Sequence, residues 1–330
     1  MNFQNLPKTE QYQKYLDIAF KSGKLRLQKL MTDKPKLKKD PETKRKHTQY
    51  MEIEQIRDVQ NVLCGSLKRI HEKFPSLDGL PPFYNKLARV TIRYETTKHA
   101  LGAIHWAEKQ CKEVAHQSVI AIKKARSLDE VKKRKSIFYG RISSIMRQVQ
   151  KHFSVIEESR QIMKAWPDIK TDIRTVALAG YPNVGKSSIL KALTTAQPEI
   201  KAYAFTTKRL NIGYCEKEPR VYQIIDTPGT FDRELKDMNN IEKQASFVLD
   251  MLAEKIIYVF DPSESCGYEV EQQIQLLNRI KKRIDKPIIL VANKMDLDTT
   301  KFGVIRRLYP EIIELSVKED VGLDKIKKAL

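Results

Sequence analysis

Apolar side chains in the first half of the chain recur at helical spacing. Over about 128–164 they fall three, four or seven positions apart, which predicts one long amphipathic helix. The same spacing predicts a helix from Tyr94 to Ile122 and two earlier helices over about 9–30 and 43–73. Because each apolar stripe has to be buried against another helix, we expect a helical bundle.

Short β-rich runs alternate with helical ones in the second half. This alternation predicts a mostly parallel, six-stranded sheet with helices on both faces. We therefore predict two domains, a basic helical bundle over 1–168 and an α/β domain over 169–330. The six expected strands are Thr175–Ala179, Arg209–Tyr214, Val221–Ile225, Ile256–Phe260, Ile288–Ala292 and Ile312–Leu315.

Positive charge is concentrated in the helical half. The 330-residue chain has Lys+Arg 61 and Asp+Glu 41, a net charge of +20. Residues 1–170 hold 36 basic and 18 acidic residues, net +18, whereas residues 171–330 hold 25 and 23, net +2. This asymmetry favours RNA binding by the helical half, although any single lysine run is equally well explained as a solvated helix face. Phe83, Tyr84 and Trp106 could stack on bases, but core packing is the favoured interpretation.

The sequence also excludes several classes of protein. No apolar run approaches the length of about 18 residues that a membrane span needs, and charged residues precede any apolar stretch at the N-terminus, unlike a signal peptide. The four cysteines lie far apart without a Cys-x-x-Cys pair. Their spacing argues for a reducing compartment and against a zinc site or a disulfide framework.

A phosphate-binding loop follows the first predicted strand. The run from Gly180 to Ser187 fits G-x-x-x-x-G-K-[ST] and precedes a predicted helix, whose N-terminus favours an anion. Lys186 is expected to reach the β- and γ-phosphates of a nucleotide, and the Ser187 hydroxyl to ligate Mg²⁺. The nucleotide contacts expected from this loop are Gly180, Tyr181, Pro182, Asn183, Val184, Gly185, Lys186, Ser187 and Ser188.

Further nucleotide contacts are expected on either side of the next two predicted strands, Arg209–Tyr214 and Val221–Ile225. Asp226 ends a strand, where it can hold Mg²⁺ through water, and the Gly229 amide would contact the γ-phosphate. Upstream, Thr206 or Thr207 stands where the first switch would bind Mg²⁺ and the γ-phosphate, and we favour Thr207. The second expected group of contacts is Asp226, Thr227, Pro228, Gly229 and Thr230.

The base is expected to be guanine. Asn293-Lys294-Met295-Asp296 fits N-K-x-D, and Asp296 can accept hydrogen bonds from guanine N1–H and its exocyclic amine. Adenine would leave that carboxylate unpaired, which makes the site guanine-specific. Lys294 would pack its stem along the base. A backbone amide of Ser316, Val317 or Lys318 could reach guanine O6.

The residue after Asp-x-x-Gly departs from the pattern of Ras-type enzymes. They place a water-orienting glutamine where this chain has Thr230, so the water must be positioned otherwise. Asn183 resembles the asparagine that holds K⁺ in cation-activated GTPases, whereas a turn-favouring Asn is the alternative explanation. We expect intrinsic GTP hydrolysis on the order of 10⁻⁴–10⁻² s⁻¹, with Lys186, Thr207, Asn183 and Gly229 as the catalytic candidates.

The combined motifs resemble one family. The P-loop, the Phe-Thr-Thr-Lys run and Asp-Thr-Pro-Gly look like the Obg-related branch of translation-factor-class P-loop GTPases. The runs Ala202–Lys208, Asp261–Tyr268, Pro82–Leu87 and His99–Gly102 narrow the resemblance to the nucleolar-type G-protein family, the large-ribosomal-subunit assembly GTPases of archaea and eukaryotes. Because eukaryotic members continue well beyond the G domain, a chain ending at Leu330 looks like an archaeal member or a truncated one.

The resemblance implies a GTPase that binds GTP or GDP with Mg²⁺ and acts on the large ribosomal subunit or its precursor through ribosomal RNA. It also implies a monomer, cytoplasmic in an archaeon or nucleolar in a eukaryote, with no membrane partner. The alternatives are a constitutive RNA-binding scaffold with a structural nucleotide, and an Obg-like GTPase acting on another RNA or at a membrane surface.

Overall fold

The chain divides into two compact units that are not continuous in sequence. The computed structural model describes residues 3–32, 40–166, 168–194, 199–202, 209–217, 220–227, 248–297 and 299–330. The helical unit consists of Asn5–Leu77 and Ile92–Gln161, and the sheet unit of Met1–Gln4, Asp78–Thr91 and Ile162–Leu330. Packing thus differs from the linear division expected at residue 168, because residues 78–91 pack with the sheet unit.

In the described residues, six helices precede the sheet. The helical unit contains all of them except the third, and the sixth continues beyond its last residue. They are α1 (Tyr12–Thr32), α2 (Pro41–Lys73), α3 (Pro82–Thr91), α4 (Tyr94–Lys123), α5 (Leu128–Gln148) and α6 (Gln150–Lys164).

The prediction of a single helix over 128–164 is wrong, because the helix is interrupted at Val149, between α5 and α6. Val149 has φ −96° and ψ 6°, and its N–H donates to the Arg147 carbonyl rather than to the carbonyl four residues back. Val149 is nevertheless buried, as are Ile145 before it and Phe153 after it. The apolar stripe therefore continues through the break, so its periodicity does not reveal it.

Side-chain hydrogen bonds and close packing define the helical unit. Asp40 caps α2 by accepting from the Thr43 N–H at 2.8 Å. A Cβ on Gly23 of α1 would lie 2.5 Å from Val59 Cγ2 on α2, so the two helices can approach this closely only with glycine there. The buried Thr97 and Ser159 hydroxyls lie 2.7 Å apart and join α4 to α6.

Over the described residues the sheet has seven strands rather than the expected six, in the order β2-β3-β4-β1-β5-β6-β7. Strands β2 and β3 are antiparallel to their neighbours and the remaining pairs are parallel, so the predicted mostly parallel α/β class is confirmed. The extra strand, β2, is a short edge strand whose Glu-Ile-Lys-Ala run is too polar to stand out in the sequence. The strands are β1 (Arg174–Ala179), β2 (Glu199–Ala202), β3 (Arg209–Lys217), β4 (Arg220–Asp226), β5 (Ala253–Phe260), β6 (Ile288–Ala292) and β7 (Ile313–Glu314).

Four helices and a π-helical turn at Val248–Leu252 accompany the strands in the part of this domain that the structure describes. In the part of the chain that the structure describes, no helix is long and apolar enough to cross a membrane. The helices are α7 (Lys186–Leu193), α8 (Val270–Arg283), α9 (Phe302–Leu308) and α10 (Leu323–Ala329).

Two of the three aromatic residues considered for base stacking are core residues. Phe83 and Tyr84 of α3 are buried in the sheet unit. The Tyr84 hydroxyl accepts from the Ile169 N–H at 2.7 Å and donates to the Ile169 carbonyl at 3.1 Å. Trp106 in the helical unit is 42% exposed, so core packing does not account for it.

Candidate nucleotide-binding site

The glycines of the P-loop occupy positions that side chains cannot. The loop starts directly after β1, whose last five residues are buried. Gly180 has φ +139°, and a Cβ there would lie 2.6 Å from the Val259 carbonyl oxygen. Gly185, with φ +100°, begins α7 and leaves no room for a Cβ beside the Asn293 side-chain amide. The backbone therefore turns tightly enough for the helix N-terminus to face a bound anion.

The P-loop lysine is held inside the loop. The Lys186 ammonium donates to the carbonyls of Gly180 (3.0 Å) and Tyr181 (2.7 Å), and the residue is 7% exposed. Burial lowers the pKa of Lys186 from its ordinary value, and the nearby Asp226 carboxylate partly opposes that shift. The side chain is thus a buried cation positioned where the motif predicts phosphate.

The remaining predicted loop residues surround this lysine differently. Val184 is fully buried, whereas Asn183, Ser187 and Ser188 are exposed and Pro182 is half-buried. Asn183 has φ +63°, a left-handed conformation that asparagine tolerates better than most residues.

A carboxylate and a hydroxyl meet where the sequence predicts magnesium. The Ser187 hydroxyl at the start of α7 donates to Asp226 Oδ2 at the end of β4, 2.5 Å away. Asn211 on β3 donates its side-chain N–H to the same oxygen at 3.1 Å. Hydroxyl and carboxylate oxygens are the donors that Mg²⁺ prefers, so these residues fit that ion.

Sequence reasoning missed Asn211. It lies in a predicted strand, but only the antiparallel register of β3 and β4, which pairs it with Asp226, brings it to the site. Thr227, in contrast, was expected to contact the nucleotide, yet it is fully buried and its hydroxyl donates to the Leu178 carbonyl at 2.6 Å. That bond ties the end of β4 to β1 and holds Asp226 beside the P-loop.

The N-K-x-D segment contacts the P-loop as well as the last strand. Asn293 donates its side-chain N–H to the Val184 carbonyl at 2.9 Å. Its buried Oδ1 has no hydrogen-bond partner in the described parts of the chain, which leaves an acceptor that a ligand or water would satisfy. Met295 donates its N–H to the Leu315 carbonyl at 3.2 Å, which fixes the segment beside β7.

Asp296 is oriented by the segment after β7. Its Oδ1 accepts from the Ser316 hydroxyl at 2.7 Å, and its Oδ2 lies 3.7 Å from the Lys318 ammonium. The Ser316 hydrogen bond, with help from Lys318, holds the pKa of Asp296 below its ordinary value. The Ser316 amide donates to the Val321 carbonyl at 3.1 Å, so Val317 and Lys318 are the better candidates for an amide contact to a ligand.

The loop after β5 supports both ends of the site, a role that sequence reasoning did not assign. The Asp261 carboxylate is buried and accepts from the Lys294 ammonium at 2.7 Å. Burial opposes its ionisation, but Lys294 and the hydrogen bond from Ser263 keep the pKa of Asp261 below its ordinary value. At the other end of the loop, the Tyr268 ring stacks on the Tyr181 ring of the P-loop, with centroids 4.1 Å apart.

The structure brings most of the predicted residues to one edge of the sheet, after the carboxyl ends of β1, β4, β6 and β7. Ligands of open α/β sheets bind at that edge. The expected contacts at Thr206, Thr207, Pro228, Gly229 and Thr230 lie outside the described residues.

Two family models match the chain. The one described as the NOG1 N-terminal helical domain matches residues 3–170, and the one described as 50S ribosome-binding GTPase matches residues 175–294.

Individual relatives are similar over most of this chain. The uncharacterized protein MJ1408 of Methanocaldococcus jannaschii is 38% identical over 75% of this chain and 69% of its own length. Nucleolar GTP-binding protein 1 of Drosophila melanogaster is also 38% identical, over 82% of this chain but only 43% of the fly protein. A crystal structure of a Plasmodium falciparum protein described as nucleolar GTP-binding protein 1 is 30% identical, with a TM-score of 0.42, and covers 50% of this chain and 87% of that one.

The chain thus spans less than half the length of the fly relative. Over the length it does span, the family models and the identities agree. The chain belongs to the NOG1 family of GTPases, with the helical domain of that family followed by a P-loop GTPase domain.

Proposed function

We propose that the chain binds GTP with Mg²⁺, hydrolyses it slowly, and uses the bound nucleotide to switch its association with the large ribosomal subunit or its precursor. The observation that carries this proposal is the convergence of Lys186, Ser187, Asp226 and Asp296 at one edge of the sheet. Phosphate, magnesium and base would each meet the chemistry they require there.

The phosphate end supports tight binding of a nucleoside triphosphate. Lys186 would exchange its bonds to loop carbonyls for bonds to the β- and γ-phosphates, with its charge already inside the loop. Ser187 and Asp226 would hold Mg²⁺, which supplies positive charge against the phosphate oxygens when bound. Asn211 would keep the Asp226 carboxylate facing that position.

The base end supports guanine over adenine. Asp296 would accept two N–H groups from guanine, and Ser316 fixes the direction of its carboxylate. Lys294, anchored by Asp261, would lie along the base, and an amide of Val317 or Lys318 would bond O6. Adenine offers an acceptor at N1 and no 2-amino group, so the Asp296 carboxylate would lose both of these hydrogen bonds.

Hydrolysis would depend on groups beyond those that hold the nucleotide. Thr207, or Thr206 in its place, and Gly229 remain our candidates for the γ-phosphate, and Thr230 is too short to orient the attacking water. Asn183, exposed in the P-loop at a left-handed backbone conformation, would hold a K⁺ ion that supplies positive charge to the phosphates during hydrolysis.

The basic helical domain, predicted over 1–168, would bind ribosomal RNA while the G domain over 169–330 reads the nucleotide. The net charge of +18 over residues 1–170 supports a phosphate-rich partner. Large-subunit association is supported by the description 50S ribosome-binding GTPase of the matching model. We expect the chain to act as a monomer.

The experiment is a phosphate-release assay with GTP and ATP, run on the wild-type chain and on Ser187→Ala. We expect release from GTP alone, at about 10⁻⁴–10⁻² s⁻¹ without a partner, and its loss in the variant. Equal turnover of ATP, or full activity of Ser187→Ala, would contradict the assignment.

A further inference from the structure

Two histidines and a glutamate converge in the helical unit, whereas the residues of the nucleotide site belong to the sheet unit. His71 lies in the last turn of α2, and His105 and Glu108 lie three positions apart on α4. His71 Nε2 is 2.6 Å from Glu108 Oε2 and 3.3 Å from His105 Nδ1, and His105 Nδ1 is 3.7 Å from the same Glu108 oxygen. All three atoms can donate a lone pair to a metal ion.

Burial and second contacts fix the carboxylate of this cluster. The Glu108 side chain is 4% exposed, and its other oxygen, Oε1, is 2.5 Å from the Lys112 ammonium. Lys112 therefore leaves Oε2 facing the two imidazoles. His105 is 46% exposed at its side chain, so the cluster opens to solvent on that side.

The three distances leave room for an ion. A point equidistant from the three atoms lies about 1.9 Å from each, and a slight displacement from their plane gives the ~2.0–2.1 Å of zinc–nitrogen and zinc–oxygen bonds. A proton on His71 Nε2 can serve only one of its two close neighbours at a time, whereas a metal ion bonds all three atoms together.

We propose that His71, His105 and Glu108 bind a zinc ion that fastens the C-terminal end of α2 to α4, with water as the fourth ligand on the solvent side. Imidazole nitrogen suits zinc and disfavours Mg²⁺ and Ca²⁺, which take oxygen ligands. No thiol belongs to the cluster: among the described residues, the group of ligand atoms that lie within 4.8 Å of one another contains these three side chains and no cysteine. The ligand set is thus two histidines and a carboxylate. The cysteine spacing, from which the sequence argued against a zinc site, does not bear on this site because none of its ligands is a cysteine.

Zinc binding is measured on the full chain after metal removal, by competition with a chromophoric zinc chelator. We expect one tight site per chain and at least ~10-fold weaker binding in His105→Ala. This variant removes a half-exposed side chain, so the fold should persist. His116→Ala, which removes an exposed histidine from the same helix, is the matched control and should bind like the wild type.

Two further readouts separate a real site from weak surface binding. Zinc should raise the melting temperature of the wild type and of His116→Ala but not that of His105→Ala. Co²⁺ in place of zinc should give the visible absorption of a four-coordinate site in the first two proteins only. Absence of a stoichiometric site, or equal zinc affinity in His105→Ala and the wild type, would overturn the proposal and leave the cluster as a set of hydrogen bonds.

Discussion

Asn211 tests whether the Ser187–Asp226 pair is a magnesium site. Its side-chain N–H donates to Asp226 Oδ2, the oxygen that also accepts from Ser187. Asn211→Ala removes this bond and frees the carboxylate to turn. A hydrogen bond to a charged group contributes roughly 1.5–3 kcal/mol, which corresponds to about 10–100-fold in a dissociation constant. Removing a residue that hydrogen-bonds to a metal ligand typically weakens metal affinity by a similar factor.

The assay follows displacement of a fluorescent GDP analogue while Mg²⁺ is titrated. We expect the Mg²⁺ midpoint of Asn211→Ala to rise by about 10–100-fold. Without Mg²⁺, the variant should bind the analogue as the wild type does, because Asn211 is expected to act only through the Asp226 carboxylate. Asn278→Ala, at an exposed position on α8 in the same unit, is the control and should leave the midpoint unchanged.

Two outcomes would refute this reasoning. The Mg²⁺ midpoint could stay where it is in Asn211→Ala, in which case the bond to Asp226 does not position a metal ligand. Alternatively, the affinity for the analogue could fall equally with and without Mg²⁺, which would place Asn211 in nucleotide binding or in folding.

Three other predictions follow from individual contacts. Asp296→Asn should weaken GTP binding by at least ~10²-fold and favour xanthosine triphosphate, whose C2 carbonyl can accept from the new amide. Competition binding with both nucleotides measures this preference, and an unchanged affinity for GTP would contradict the base assignment. Burial opposes ionisation of Glu157, but hydrogen bonds from Arg160 and the Thr9 amide lower its pKa to about 2 from an ordinary 4.5. Glu157→Gln should therefore lower the unfolding free energy at neutral pH by up to about 3 kcal/mol. The difference from the wild type should vanish as pH falls from about 4.5 through 2. Denaturant unfolding at several pH values measures this difference, and a difference that does not change with pH would contradict the prediction. Replacing K⁺ with Na⁺ should slow GTP hydrolysis in the wild type but not in Asn183→Ala, and equal rates in both salts would exclude a K⁺ role.

Motifs at strand ends are the part of the site that sequence reasoning locates well. Lys186, Asp226 and Asp296 each lie at or after the end of a strand rich in apolar residues, and parallel strands bring their carboxyl ends to one edge. The residue types at those ends then define the chemistry without knowledge of packing. The helical bundle is predictable for a similar reason, since its stripes have to be buried.

Features that depend on strand register or on packing between distant segments could not be predicted from the sequence. Asn211 reaches Asp226 only through antiparallel pairing, and nothing local marks it. The break at Val149 falls within a continuous apolar stripe. The third case is the cluster of His71 with His105 and Glu108, in which His71 is distant in sequence from the other two and meets them only because α2 packs on α4.

The most direct test of the proposed switch is co-sedimentation of the chain with purified large ribosomal subunits, comparing GDP with a non-hydrolysable GTP analogue across a salt series. We predict clearly tighter binding in the GTP form, with an affinity that falls ~10³–10⁵-fold from 50 to 200 mM salt if about 6–10 phosphates are contacted. If the GTP form and the GDP form bound the particle equally well, the nucleotide could not switch the association on or off. Equal binding in both nucleotide states, or none in either, would contradict the proposal.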